Sequence, residues 1–471
     1  MLGELRVTAG QAAGTTIALG DELLIGRATG GIGRLGDDPA ISLRHARIVP
    51  TKGGLPLVVD MGSESGTWVN GERVMTRVLA NGDVLRFGNS TLELAGAPAL
   101  RNADRAEDAA NARALRAEFP IFERVLYLNA GMEGPVPARG ILAAQGQLEA
   151  EMLRGRSGAE HWGNLEVLAS RLREGYARAL GCRAEDVGLT RATCDGVYVV
   201  LNCLRFAAGD EILTTDEEHH GVYVPLAVLR ERCGCRIRVV PFDDLANAVT
   251  STTRMIVCSH VSWRTGRVID TQALKATGKP VLLDGAQALG AIPLDMDELG
   301  CDFYAASGQK WLFGPDRTGS LYVRPDRIAD LSPPITSNFF TLADKARPLD
   351  LVLSPGARRF DPGNLPGSTA LWALAALDII EEAGLRWITE RGPVLAGRLA
   401  KRLRDAGLRV EPRGASTLVS FTSAEAPRVV EAFATSGIVV RDVQGCVRIS
   451  IGAYCLDEDI DRVVDVAARF A

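Results

Sequence analysis

The chain has 471 residues, 46% of them hydrophobic and 24% charged, with a net charge of −5 and a pI of about 5.7. That length exceeds one ordinary core and predicts two or three globular domains, while the acidic balance argues against nucleic acid or an anionic membrane surface as the main partner. No apolar run approaches the ~20 residues of a membrane span, and MLGELRVTAG lacks a charged start followed by an apolar core, so the cytoplasm is the expected compartment.

The nine cysteines are scattered, odd in number and without metal-ligand spacing, which points to reduced thiols and no metal site. Cys233-Gly234-Cys235 is the one close pair and reads as structural.

From Leu5 to Leu94 short alternating stretches such as HARIVP, LPLVVDMG and DVLRFGNSTLEL are separated by glycine-rich turns. Strands at that spacing predict an all-β sandwich over residues 1–97. Four stretches in it resemble the forkhead-associated (FHA) family of phosphothreonine-peptide readers. They are Gly26-Arg27, Ser42-Leu43-Arg44-His45, the run from Asp60 through Ser63, Gly66-Thr67 and Asn70-Gly71, and Gly82-Asp83. The resemblance implies that Arg27 and Ser42 contact the phosphate of a phosphothreonine-containing protein, with His45 bracing the loops from behind. A guanidinium and a hydroxyl suit a doubly charged anion. This chain departs from the family pattern at Leu43, commonly polar or basic, and at Ser65, commonly asparagine. The acid Glu64 beside it opposes an anionic ligand, so a sandwich kept for docking or dimer stabilisation is the alternative. The loop from Gly30 to Gly36 offers Arg34 as a second cation.

Residues 98–112 are rich in Ala, Arg, Asp and Glu and poor in large apolar residues. They read as a linker that becomes helical by about Arg113.

Beyond it, strand patterns such as Asp186–Thr190, Glu211–Thr215, Arg236–Val240, Met255–Cys258 and Val281–Leu283 alternate with helical ones. That alternation predicts an α/β region with a mostly parallel, doubly wound sheet. A large part is expected over about 138–372, and a small part from about 113–137 together with 373–471.

Within this region Val281-Leu282-Leu283 ends abruptly in Asp284, and a second apolar stretch at Phe303–Ala306 leads to Lys310. Open α/β sheets put their ligand crevice at such strand ends. An acid and a lysine facing one another there suit pyridoxal phosphate (PLP), which needs a lysine to hold its aldehyde and an acid to keep its pyridine nitrogen protonated. The bland alternative is a helix-capping Asp284 and a surface Lys310. Lysines are scarce, only Lys52, Lys275, Lys279, Lys310, Lys345 and Lys401. In an arginine-rich chain that scarcity favours amine chemistry, because a guanidinium does not deprotonate to attack a carbonyl.

The chain from about Arg113 to Ala471 resembles the class V aminotransferase family of fold type I PLP enzymes, which includes cysteine desulfurases and isopenicillin-N-epimerase-like enzymes. The resemblance assigns Asp284 to the ring nitrogen, Gln287 to the ring hydroxyl and Lys310 to the cofactor aldehyde. His219, in Glu217-Glu218-His219-His220-Gly221, would stack on the ring. Ala192, Thr193 and Cys194 open an apolar helix and form the expected phosphate cradle, although the family commonly has threonine where Cys194 stands. Ser307 and Gln309 add phosphate donors. Arg359 to Asn364 resembles the segment that crosses a dimer interface to the partner's phosphate, which implies a homodimer and a cofactor contact from Asn364. Arg448 matches the arginine that pairs with an amino-acid substrate's α-carboxylate, with Arg441 assisting.

Desulfurases in this family carry a mobile nucleophilic cysteine on a loop between the equivalents of Arg441 and Arg448. Here that loop is short and Cys446 stands at a strand start, while Trp263 replaces an asparagine usual in desulfurases. The expected reaction is therefore a β-elimination on an α-amino acid, with a C–S bond the first choice. Transamination or epimerisation would use the same residues. A phosphopeptide-binding scaffold with an idle PLP domain is the alternative of another class, and the intact Asp284, His219, Lys310 and Arg448 set weighs against it.

Overall fold

The computed structural model describes residues 2–28, 30, 33–50, 56–61, 63–74, 76–79, 81–96, 102–332, 341–344, 347–361, 363 and 365–471. These form two compact units, one of residues 1–112 with 412–415, the other of 113–411 with 416–471. No helix among the described residues is long and apolar enough to cross a membrane.

The first unit is a sandwich of a six-stranded and a four-stranded antiparallel sheet. Period-2 alternation turns Leu5, Val7, Leu85, Phe87, Leu92 and Leu94 of one sheet, and Ile25, Ile48 and Val58 of the other, into a buried core. Residues 98–112 differ from the expected linker, because a helix already begins at Asn102 and runs to Ala117. Alanine, arginine and glutamate are strong helix formers, and their summed propensity outweighs the lack of large apolar side chains. Its far end is held by burial of Leu115 and by a 2.6 Å ion pair from Arg116 to Asp459.

In the second unit a seven-stranded sheet runs, edge to edge, through Val187–Thr190, Gly319–Val323, Phe303–Ser307, Val281–Asp284, Thr253–Ser259, Glu211–Thr215 and Arg236–Val240. Gly319–Val323 is antiparallel to both its neighbours, and the remaining pairings are parallel. Every residue of Val281–Asp284 and of Phe303–Ser307 is buried, which is why they read as unbroken apolar runs. Both strands deliver their last residues, Asp284 and Ser307, to the same end of the sheet.

Leu418–Thr422, Cys446–Ser450 and Arg441–Val443 form a separate three-stranded antiparallel sheet. Leu126–Tyr127 pairs in parallel with Ile438–Val439, so the start of the unit folds with its end. The boundary expected near residue 372 falls inside the helix Gly367–Ala383. That helix buries Ala370, Ala373, Ala376, Leu377 and Ile380 on one continuous face, so it cannot be cut there.

Asp361, from the segment expected to reach a partner, is turned into its own unit. Its carboxylate receives Arg173 Nη2 at 2.7 Å and the Leu189 amide at 2.8 Å, and both ionic side chains are buried. The pair fastens the helix Gly158–Leu180 to the edge strand Val187–Thr190. Breaking a buried pair strands a charge, so Asp361→Ala should lower unfolding free energy by about 3–5 kcal/mol in urea denaturation. The double change Arg173→Met with Asp361→Leu should recover most of that loss.

Candidate active site

Asp284 closes its strand with Oδ1 accepting the Ala286 amide at 2.8 Å. Burial pushes its carboxyl up, opposed by the Lys310 charge and that amide. Burial pulls the Lys310 amine down to about 8; Asp284, Glu133 and Cys194 oppose that shift and Arg448 adds to it. A lysine so placed is partly free base near neutral pH, as a nucleophile or proton acceptor must be.

The helix Thr193–Cys203 starts beside the end of Phe303–Ser307. Ala192 is its N-cap and supplies no side-chain cap, so first-turn amides are left for an anion. Thr193 N donates to Ser307 Oγ at 3.1 Å, and the two hydroxyls are 2.5 Å apart. The buried amide oxygen of Gln309 has no hydrogen-bond partner. Cys194 is exposed, and partial burial of its thiol pushes its pKa up.

His219 caps the helix His220–Cys233, its Nδ1 accepting the Gly221 amide at 3.0 Å. Its ring meets Trp263 edge-on at 5.1 Å. Burial and the cations Lys310, His220, Arg448 and Arg441 hold the imidazole down to about 4, so it is neutral at physiological pH. Beneath it, Glu218 accepts Ser259 Oγ at 2.6 Å and Ser259 N at 3.0 Å.

Gln287 is more committed than expected. Its Nε2 donates to the Gly131 carbonyl at 2.6 Å and its Oε1 accepts the Trp311 indole at 3.2 Å, which leaves one N–H for a ligand. Arg448 is 2% exposed, donates from Nη1 to the Trp263 carbonyl at 2.7 Å, and has an Nε without partner. Burial and neighbouring Arg441, directly across the sheet, pull it down to about 10. Like charges opposite one another are unfavourable, and among the described residues no carboxylate pairs with either.

Lys310, Asp284, His219, Arg448, Arg441 and Cys194 thus act electrostatically on one another, with Thr193, Ser307 and Gln309 alongside; Asn364 lies outside the described residues. Sequence reasoning missed Glu133, a half-buried acid pushed up to about 7 by burial and by Asp316. An acid between Gly131 and Gly134, just after a strand, was the available signal. Among the described residues no cluster of side chains suits a metal ion.

In the sandwich, Arg27 is exposed and its Nε donates to the Ile41 carbonyl at 2.5 Å. Ser42 Oγ accepts the Glu64 amide at 3.0 Å, which leaves its hydroxyl hydrogen to donate. Buried His45 accepts the Ser42 amide at 3.2 Å and lies 3.2 Å from the Gly66 carbonyl, while Asp60 receives Ser63 and Thr67 hydroxyls at 2.5 Å. Arg34 is not a free second cation, because Asp37 pairs with it.

The family described as aminotransferase class-V matches residues 134–463, and the FHA domain matches residues 23–88. The chain belongs to the class V aminotransferases. It carries an FHA domain ahead of a PLP-dependent enzyme of fold type I. This class V aminotransferase is similar to the cysteine desulfurase of Yersinia pestis (strain Pestoides F), 31% identical over 301 residues, 58% of this chain and 72% of that one. A probable cysteine desulfurase of Methanothermobacter thermautotrophicus is 28% identical over 294 residues, 59% of this chain and 72% of that one. Among solved structures, the cystine C–S lyase C-DES in complex with its product cysteine persulfide superposes with TM-score 0.70 at 26% identity, covering 75% of this chain and 100% of that one. A C-DES mutant with glycine covalently linked to PLP gives TM-score 0.71 at 24% identity, over 76% and 99%, a likeness of fold.

PLP fits the residues present: a buried acid beside a low-pKa lysine, and open amides at a helix start beside the Thr193 and Ser307 hydroxyls. In cofactor-free protein, acylation of Lys310 followed by peptide mass spectrometry should show a midpoint at pH about 8. Asp284→Asn removes a charge that favours the ammonium form, so it should move that midpoint to lower pH.

Proposed function

We propose that this class V enzyme eliminates the Cβ substituent of an α-amino acid, with a C–S bond as the one broken. We also propose that its FHA domain docks the enzyme on a phosphothreonine-containing protein. When bound, PLP supplies an aldehyde that joins amines and a ring that accepts the electron pair left at Cα. Asp284 would hold the proton at the ring nitrogen, neutral His219 would cover the ring, and the free N–H of Gln287 would face its hydroxyl. Ala192–Cys194 amides, the Thr193 and Ser307 hydroxyls and the Gln309 amide would hold the phosphate. The homodimer implied by the Arg359–Asn364 segment belongs to this reading.

Arg448, with its unpartnered Nε, receives the substrate α-carboxylate as a planar fork, and Arg441 adds charge. Lys310, with its amine pulled down to about 8, takes the proton from Cα. Departure of the Cβ substituent then follows.

The observation that carries elimination over persulfide-forming desulfuration is the setting of Cys446. It is buried in a strand paired on both sides, opposite Thr422 and Val443. A thiol held in two ladders does not swing to a substrate sulfur. The exposed Cys194 thiol, pushed up by burial and by Asp195, is largely protonated at neutral pH and a poor nucleophile. Likeness to a cystine C–S lyase supports the same reading.

Purified protein given PLP should develop a visible-range absorption band that Lys310→Ala abolishes. Incubated with a panel of sulfur-containing amino acids, it should release pyruvate and ammonia. A wild type without the band would leave the idle-scaffold reading standing, and keto acid with amino transfer would make it a transaminase. Arg448→Lys, which loses the bidentate fork, should raise KM about tenfold or more with a smaller change in kcat. For the FHA domain, Arg27→Ala should abolish phosphothreonine-peptide binding in calorimetry, and an unchanged affinity would refute phosphate reading at that residue.

A further inference from the structure

The turn Ser262–Arg267 is gripped from two sides. Val261 and Val268 form an antiparallel bridge at its base, and the Ser262 amide donates to the Arg267 carbonyl at 2.8 Å. From the three-stranded sheet and the residues leading into it, Ser420 Oγ donates to the Arg264 carbonyl at 2.6 Å and Ser416 Oγ to the Gly266 carbonyl at 2.7 Å. Gly266 has a φ of +81° and comes so close that a Cβ there would be 2.8 Å from the Leu418 carbonyl oxygen. These contacts hold the backbone of the turn.

Its side chains are held by Glu217, just beyond the strand Glu211–Thr215. Oε2 of this buried carboxylate accepts the Thr265 hydroxyl at 2.7 Å and the Ser262 hydroxyl as well, while Oε1 lies 3.6 Å from Arg267 Nη1. Ser262 and Thr265 are themselves buried. Ser262 Oγ in turn accepts the Thr265 amide at 3.2 Å and the Arg264 amide at 3.3 Å, so the acid orders the backbone through the hydroxyl it holds. Trp263 sits between these gripped residues, and its carbonyl is the one to which Arg448 Nη1 donates at 2.7 Å. The adjacent Glu218 is turned to Thr215 and Ser259 instead.

We propose that Glu217 is a positioning residue for substrate recognition: by fixing Ser262 and Thr265 it sets the Trp263 carbonyl where it holds the Arg448 guanidinium. This rests on the reading above, in which Arg448 receives the α-carboxylate. Glu217 does not touch the substrate and acts through one backbone carbonyl on a buried cation. A guanidinium with one Nη committed presents its other N–H groups in a fixed direction, and a slackened turn would let that fork rotate. Removing the acid would also leave two buried hydroxyls in search of acceptors, whereas Arg267 would keep Asp243 at 3.2 Å. An acid that merely held the fold would lower stability without distinguishing one ligand from another.

The test is the affinity of the PLP-loaded enzyme, read from the change in its visible band, for two amines without a Cβ leaving group: alanine, which carries the carboxylate, and ethylamine, which lacks it. Glu217→Ala should weaken alanine binding about tenfold, the loss expected for a charge-assisted hydrogen bond, and change ethylamine binding little. Combined with Arg448→Lys it should cost much less than the product of the two single effects, because both changes remove the same contact to the carboxylate. Thr265→Val, which removes one donor and keeps the shape, should weaken alanine binding by a smaller factor. Glu217→Gln keeps an acceptor oxygen and should restore most of the affinity, so these two variants decide the matter even if Glu217→Ala does not fold. Effects that multiply in the double variant, or equal weakening of both ligands, overturn the inference. Alanine binding weakened by Arg448→Lys but untouched by Glu217→Ala and Thr265→Val overturns the positioning role and leaves the proposed function standing. Alanine binding indifferent to Arg448→Lys would sink the positioning role together with the reading beneath it.

Discussion

The structure depends on two ionisable groups desolvated within reach of each other's charge at the mouth of one sheet. Burial drives the Asp284 carboxyl up and the Lys310 amine down, and each one's charge opposes the other's shift. The result is a pair nearer to neutrality than either would be in water, and so readier to exchange protons. Their placement follows from the fold. Asp284 ends a strand whose neighbour in the ladder, through Ala305, leads directly to the turn bearing Lys310. Apolar strands on both sides exclude water from that end of the sheet, and without that exclusion the acid and the amine would be an ordinary ion pair.

Around this pair the surroundings are arranged for anions at two ends. One end is a helix start with open amides next to Thr193 and Ser307 hydroxyls. The other is Arg448 beside Arg441, cations placed opposite one another without an acid between them. His219 is held neutral by burial and, less, by Lys310, His220, Arg448 and Arg441, so a ring stacked on it would meet no added charge. The clustered positive charge that adds to burial in depressing His219 would also attract anionic groups. A single protein field serves both purposes.

Much of this was legible in the residues themselves. Fully buried parallel strands are written as unbroken apolar runs, so the strand ending in Asp284 could be seen, and Lys310 stood out because lysine is rare in this chain. Cys446 was recognisably constrained from the short loop before it. What the sequence concealed were side-chain pairings. Arg173 and Asp361 meet across 188 positions, and nothing in the local pattern of Asp361 distinguishes an internal ion pair from a residue reaching a partner. Arg34 looked like a free cation until Asp37, three residues on, was seen to pair with it. The helix from Asn102 was hidden for the opposite reason: its composition lacks an apolar stripe, and only propensity argues for it.

Trp263 ties Arg448 to His219. Its carbonyl is held by Arg448 Nη1 while its ring abuts His219. The same loop is pinned to the small sheet by Ser420 Oγ donating to the Arg264 carbonyl at 2.6 Å and Ser416 Oγ to the Gly266 carbonyl at 2.7 Å. A carboxylate arriving at Arg448 would therefore meet a guanidinium braced at Nη1 and without a partner at Nε. Preorganisation of this kind lowers the ordering cost of binding. It also means that any shift of Arg448 toward a ligand would be transmitted through Trp263 to His219.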